Sequence, residues 1–318
     1  MRTGIGKPFH NRAGVTMTEG SAPHLFCFGL GYSAETLVRV LRAEGWTISG
    51  TSREPARVEQ LRAGGLRAYR FDRDHPLDDA TDVLADVTDI LSSVPPDEHG
   101  DAVLDLHSAD IVAARALRWV GYLSTTGVYG STDGQTVAED APLAPSSERG
   151  RRRVVAEQRW LDLWKIHGVP VHAFRLAGIY GPGRSVLDQV RAGTAKRINR
   201  PGHVFSRIHV GDIARVLHAS MANPDAGAVY NVTDDEAAEP STVVAHACGL
   251  LGREPPPMVS FDVAAKDMSP MALSFWKDNR RVDNSRLKRD LGIQLRYPDF
   301  RTGLAAVLQA EAEMDAEG

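Results

Sequence analysis

The sequence predicts an α/β protein: a doubly wound parallel sheet with a smaller C-terminal substrate lobe. Three observations predict it. Short apolar runs alternate with helical periodicities from residue 24 to residue 176, the pattern of a parallel sheet covered on both faces. A glycine turn stands directly between the first apolar run and the first helical pattern. After Gly183 the alternation gives way to less regular segments punctuated by proline.

Taken in order, Leu25–Phe28 is an apolar run ending in Gly29-Leu30-Gly31, and Leu37, Val38 and Leu41 follow at helical spacing. This is strand, tight turn, helix. Trp46–Gly50 is a second strand, Arg57–Ala63 a helix and Leu66–Phe71 a third strand, completing a β-α-β-α-β series. Val87–Ser92 and Gly121–Ser124 are two more strands, separated by a helix through Ile111–Leu117. Val169–Leu176 is a sixth, preceded by a helix carrying Arg153. Residues 24–183 thus form the first predicted domain and 184–318 mainly a second, smaller lobe. Ile208–Met221 and Val229–Val232 read as pieces of a 207–233 segment returning to the first domain. Apolar helices near Ser241–Leu251 and Leu304–Ala310, with Pro255–Pro257 between them, fill the lobe.

With 318 residues, 25% of them charged, and a formal charge of −4, the composition is that of a soluble globular protein and argues against a general nucleic-acid binder, while leaving room for a small polyanion to bind locally. Cys27 and Cys248 are the only cysteines and lie in apolar patterns, suggesting neither a disulfide framework nor a metal site. No apolar run of about 18 residues is available to span a bilayer. Residues 1–23 carry basic residues without an apolar core and read as a disordered extension rather than a signal peptide, which makes the cytoplasm the expected location.

Gly29, Gly31 and Ala34 fit Gly-x-Gly-x-x-Ala straight after a strand. This arrangement lets a dinucleotide pyrophosphate approach backbone amides at a helix N-terminus. The second strand runs into Thr51-Ser52-Arg53 with no acid to hold two ribose hydroxyls. Arg53 would instead pair with a 2′-phosphate, assisted by Thr51 and Ser52, so NADP is the expected cofactor, with NAD as the alternative. The other reading of Arg53 is a solvated residue opening the next helix. Ser92-Ser93 would run past the cofactor phosphates and nicotinamide ribose.

Longer motifs carry a resemblance. LSTTGVYG (Leu123–Gly130) is similar to the Ser-Ser/Thr-x-x-Val-Tyr-Gly segment of extended short-chain dehydrogenases/reductases, the NAD-dependent epimerase/dehydratase family with its Rossmann fold. FRLAGIYGPG (Phe174–Gly183), RIHVGDIA (Arg207–Ala214) and Tyr230-Asn231-Val232 resemble further hallmarks in the expected order. The resemblance covers about residues 24–300. It implies that Asp72 accepts a hydrogen bond from the adenine amine, its other reading being a turn-forming Asp, and that Tyr32, Ser33, Ala177 and Ile179 also border the cofactor. It further implies a homodimer through helices around Ala102–Leu117 and Arg151–Ile166.

The departure lies in SSERGRRRVVAEQRW (Ser146–Trp160), which resembles the helix that delivers a Tyr-x-x-x-Lys pair but reads Arg149-x-x-x-Arg153. This resembles an atypical branch that keeps the fold and loses the Tyr. Thr125 takes the place of the hydroxyl that orients the substrate. Arg153 would keep part of the Lys role at the ribose. Arg149, with a pKa above about 12, cannot cycle a proton near neutrality, but it would hold an anionic substrate group or a developing oxyanion. Its other reading is a solvated helix face. Tyr129 and Tyr180 are candidate substitute acids, each otherwise read as a packing or structural hydrogen-bond residue; His107 could face the cleft, and His209 is better read as a structural pin between lobes. Arg280 or Arg281 would bind a substrate anion or else be solvated, and Trp276 reads as core. Two functions follow: an NADP-dependent oxidoreductase or epimerase with relocated acid chemistry acting on a small molecule, or a non-catalytic NADP-binding sensor or interaction protein.

Overall fold

The computed structural model describes residues 22–317; the expected N-terminal extension lies, through residue 21, outside them. The first half runs β1 (His24–Phe28), α1 (Tyr32–Ala43), β2 (Thr47–Ser52), α2 (Pro55–Ala63), β3 (Arg67–Arg70), a single turn α3 (Ala80–Val83), β4 (Asp89–Ser92), α4 (Ala102–Ala113), β5 (Trp119–Thr125), β6 (Thr136–Val137), α5 (Glu148–His167) and β7 (Val171–Leu176). There follow β8 (Gly178–Tyr180), α6 (Val186–Arg191), β9 (Arg197–Asn199), β10 (Arg207–His209), α7 (Val210–Ala222) and β11 (Val229–Val232). The chain ends with α8 (Pro240–Leu250), β12 (Met258–Ser260), α9 (Phe261–Ala264), α10 (Pro270–Phe275), β13 (Arg281–Val282), α11 (Ser285–Leu291) and α12 (Phe300–Glu317).

Seven strands form one sheet in the order β3-β2-β1-β4-β5-β7-β11, with every pairing parallel. The chain winds outward from β1 to β3, then returns to build β4 onward on the other side. The strand order therefore reverses between β1 and β4, where Phe28 stands opposite Ser92. At such a point the loops leaving the carboxyl ends part and open a crevice.

Side-chain alternation along β1 divides the core into two layers. Leu25 and Cys27 face the layer built with Leu37 and Leu41 of α1 and Ile213 and Leu217 of α7. Phe26 and Phe28 face the layer of Val103 and Ile111 of α4 and Ala156 and Trp160 of α5. Burial on both faces explains why the strand reads as a continuous apolar run. α7 packs on α1 and β11 pairs with β7, whereas β10 pairs with β8 in a separate two-stranded sheet. A third cluster joins α6, α8 and α12 through Leu187, Val243, Ala247, Phe300 and Leu304.

The helix expected over Ile111–Leu117 lies earlier. α4 begins where Asp101 caps it, its side chain accepting from the Leu104 amide at 3.1 Å, and Ala114 is already extended. His107 is therefore within this helix and not in the crevice. It is 3% exposed, stacks near Phe28 and Phe71, and its Nε2 accepts from the Leu77 amide.

Candidate active site

At the end of β1 the chain turns through Gly29 at φ +86°, a left-handed conformation that side chains rarely adopt. A Cβ there would sit 2.7 Å from Ser93 Oγ. Neighbouring strands fix the turn: the Gly29 amide donates to Thr51 Oγ1 at 2.9 Å, the Leu30 amide to the Thr51 carbonyl at 2.8 Å, and Ser93 Oγ donates to the Gly29 carbonyl at 2.7 Å. Gly31 occupies the N-cap of α1 with no side chain bonded to the helix end. The amides of the first turn, at Tyr32 and Ser33, thus lack an intrahelical acceptor at the positive end of a 12-residue helix. Ala34, immediately after them, is fully buried against the sheet. A glycine cradle with an open helix N-terminus fits a dinucleotide pyrophosphate.

At the adenosine side, Thr51 is buried and its hydroxyl accepts from Gly29, so it braces the turn instead of meeting a 2′-phosphate. Ser52 is half-buried and accepts from the Glu54 amide at 3.3 Å. The Arg53 side chain is 80% exposed, with Glu54 its nearest acid at 3.7 Å. Asp72 folds a tight turn, its Oδ1 meeting the Asp74 amide at 2.9 Å and His75 Nδ1 at 2.7 Å. Ser92 is fully buried with its Oγ unpartnered, out of reach of a cofactor, whereas Ser93 supports Gly29.

Thr125 ends β5 half-exposed. Its Oγ1 accepts from the Gly127 amide at 3.1 Å, which leaves its proton free to donate. α5 follows from a Ser147 cap and carries Arg149 in its first turn. Arg149 is exposed and its guanidinium lies 6.0 Å from the Phe275 ring. Partial desolvation of its guanidinium by the surrounding chain and the charges of Arg153 and Arg184 lower its pKa. One turn on, Arg153 is 8% exposed and donates through Nη1 to the Leu123 carbonyl and, at 3.3 Å, to the Tyr122 hydroxyl. This places Nη1 against β5 and not at a ribose. Across the crevice, Tyr32 donates to the Pro182 carbonyl at 3.0 Å, and the Arg184 guanidinium lies 5.7 Å from the Tyr32 ring. Ala177 is buried, its amide donating to the Val232 carbonyl, and Ile179 is half-buried on β8.

The expected acid Tyr129 is not in the crevice. It is 2% exposed, its hydroxyl donating to Asn231 Oδ1 at 2.7 Å and accepting from Arg175 Nη1 at 2.6 Å, and burial raises its pKa. Tyr180 is likewise buried and pushed up by burial. His209 accepts from the Gly211 amide and lies 4.0 Å from the Tyr297 ring. Arg280 donates to the Gly130 carbonyl and Asp278, and Arg281 to the Gly134 carbonyl, so both tie the 130–134 loop to the C-terminal lobe. Trp276 packs with His203, Phe205 and Phe261.

Sequence reasoning missed the network that holds this site. Arg175 on β7 and Glu157 on α5, 4% and 2% exposed, pair at 2.6 Å; Ser124 donates to Glu157, and Arg175 reaches Tyr129. A lone arginine inside the apolar run Val171–Leu176 was the available signal, because a buried guanidinium requires an acid partner. Removing either member of such a pair costs about 3–5 kcal/mol. The pair fixes α5 against β5 and β7, and so fixes where Arg149 projects.

A family model described as the NAD-dependent epimerase/dehydratase family matches residues 29–233. Protein YeeZ of Escherichia coli (strain K12) is 27% identical over 282 residues, covering 85% of this chain and 95% of that protein. A functionally unknown conserved protein of Silicibacter pomeroyi has a solved structure that is 50% identical, with a TM-score of 0.83 over 91% of this chain and 99% of that one. UDP-glucuronic acid 4-epimerase from Bacillus cereus, solved with UDP-glucuronic acid and NAD, shares the fold at 16% identity and a TM-score of 0.71, over 92% and 99% of the two chains. With the match running from the first glycine of the turn to the residue after β11, the chain belongs to the NAD-dependent epimerase/dehydratase family.

Proposed function

We propose that the protein is an NADP-dependent oxidoreductase or epimerase acting on a small molecule, with acid chemistry altered by Arg149. The observation that carries the dinucleotide part is the Gly29 turn beneath the uncapped N-terminus of α1. Preference for NADP rests on Arg53, exposed just beyond β2, where its fork would meet a 2′-phosphate. A bound nicotinamide supplies hydride exchange. Thr125 donates to the substrate oxygen, and Arg149 stabilises negative charge without moving a proton. On this reading residues 24–183 form the dinucleotide domain and 184–318 mainly the substrate lobe, with α4 and α5 offering a dimer face.

Burial of Tyr129 and Tyr180, together with an arginine unable to cycle protons, favours one alternative: a sensor that binds NADP without turnover. Titration of the purified protein with NADP and NAD, followed by a hydride-exchange screen over a metabolite panel, separates the readings. The enzyme reading expects tighter NADP binding, weakened roughly tenfold or more by Arg53→Asp, and stereospecific exchange that Thr125→Ala abolishes. Binding without exchange on any substrate supports the sensor, and equal affinity for both dinucleotides removes the NADP preference.

A further inference from the structure

We infer that Arg149 and Arg184 form a receptor for an oxyanion on the substrate, a carboxylate or phosphoryl group held between the first turn of α5 and the β8–α6 loop, with the Phe275 ring as its apolar wall. This deepens the crevice reading above and rests on it.

The framework around both arginines is fixed. Arg149 sits two residues after the Ser147 cap, on a helix anchored by the Glu157–Arg175 pair. Arg184 closes a small loop in which Gly181 and Arg184 exchange backbone hydrogen bonds at 3.1 and 3.0 Å. Its guanidinium lies over Tyr32, whose hydroxyl is pinned to Pro182 in the same loop. Neither side chain is spent on the fold. Among the described residues, neither Arg149 nor Arg184 makes a side-chain hydrogen bond or an ion pair.

Other arginines of this chain find acids: Arg57 meets Glu35 at 2.6 Å, Arg73 meets Asp97 at 2.7 Å and Arg118 meets Asp89 at 2.9 Å. At the crevice the neighbours of Arg149 are cations instead. Arg153 and Arg184 both repel it and, after partial desolvation, lower its pKa. An anion placed between the guanidiniums would remove that repulsion and meet two planar forks suited to carboxylate or phosphate oxygens. Phe275 is 55% exposed beside Arg149, an open apolar surface for the part of the ligand behind its charge. An arginine that cannot exchange protons is suited to holding such a group.

The test is calorimetric titration of the full-length protein with malonate and, separately, with inorganic phosphate, at constant ionic strength, with and without saturating NADP. Saturable binding is expected for at least one anion, and the one preferred identifies carboxylate or phosphoryl recognition. Arg149→Gln and Arg184→Gln should each weaken it roughly 10- to 100-fold, Arg149→Lys less, and Arg152→Gln on the same helix not at all. Unchanged melting temperatures show that the variants fold. The proposal is overturned if neither anion binds saturably, or if Arg149→Gln binds as the wild type does. It is also overturned if Arg184→Gln weakens NADP and spares the anion, since that guanidinium then serves the cofactor. Failure to bind NADP would sink the dinucleotide reading alone, because the titration without NADP still decides this one.

Discussion

At the scale of single residues, Tyr129 and two arginines depart from the roles their motifs suggest. Tyr129 lies four residues after Thr125, close enough in sequence to act on the same substrate, yet its hydroxyl is enclosed between Arg175 and Asn231. Tyr129→Phe should therefore act on stability. It leaves Asn231 Oδ1 without its donor and Arg175 Nη1 with only the Glu139 carbonyl, a loss of about 1–3 kcal/mol. Urea unfolding measures that cost, while dinucleotide affinity and any turnover stay within about threefold of wild type. Collapse of turnover with stability intact would restore Tyr129 as a catalytic group. Arg153 and Arg149 divide in the opposite sense. The residue expected at the ribose is folded against β5, and Arg149, whose other reading is a solvated helix face, is exposed beside other cations. Side-chain direction, set by one helical turn, decides between them, and no motif encodes it.

At the scale of elements, what was legible depended on whether the signal was local. β1, the glycine turn and α1 could be read directly, because a strand buried on both faces and a left-handed glycine each leave their mark within a few residues. α4 could not. It is apolar on several sides and carries a buried His107 at its centre, which hid its period, although Asp101 marked its true start. The same contrast between local and distant causes separates two helical glycines. Gly249 in α8 has open space where a Cβ would stand, so Gly249→Ala should stabilise by about 0.5–1 kcal/mol through reduced backbone entropy. Gly303 in α12 faces Tyr180, whose hydroxyl would be 1.9 Å from the new Cβ. Gly303→Ala should cost about 1–3 kcal/mol as α12 is pushed off β8. Equal effects of the two substitutions on the urea midpoint would show that α12 does not dock through this contact.

At the scale of the whole molecule, the alternation of strand and helix signals anticipated the parallel sheet, because each parallel crossover needs its own covering helix. The site was only half legible: the phosphate cradle comes from one continuous segment, whereas Arg149, Arg184 and Phe275 come from three. Burial on this scale also produces opposed titrations. His172 in β7 is fully buried and stacked near Trp119, and burial pushes its pKa down to about 4 against weaker opposing contacts from the Val120 and Pro170 backbone. Asp234 is pushed up to about 8 by burial, so it contributes with the opposite sign and the overall pH profile cannot isolate the histidine. Comparison with His172→Phe can. Above about 6.5 the imidazole is neutral in both folded and unfolded chains and costs nothing. As the pH falls from about 6.5 toward 4, the unfolded chain takes up a proton that the folded chain refuses, and wild-type stability declines. The variant lacks that loss. Between pH 7 and pH 5 its unfolding free energy should therefore gain about 2 kcal/mol relative to wild type, measured by urea unfolding at both values. A difference that stays constant would mean that His172 accepts its proton inside the folded sheet, and that the strand at its centre admits either water or a partner to hold the charge.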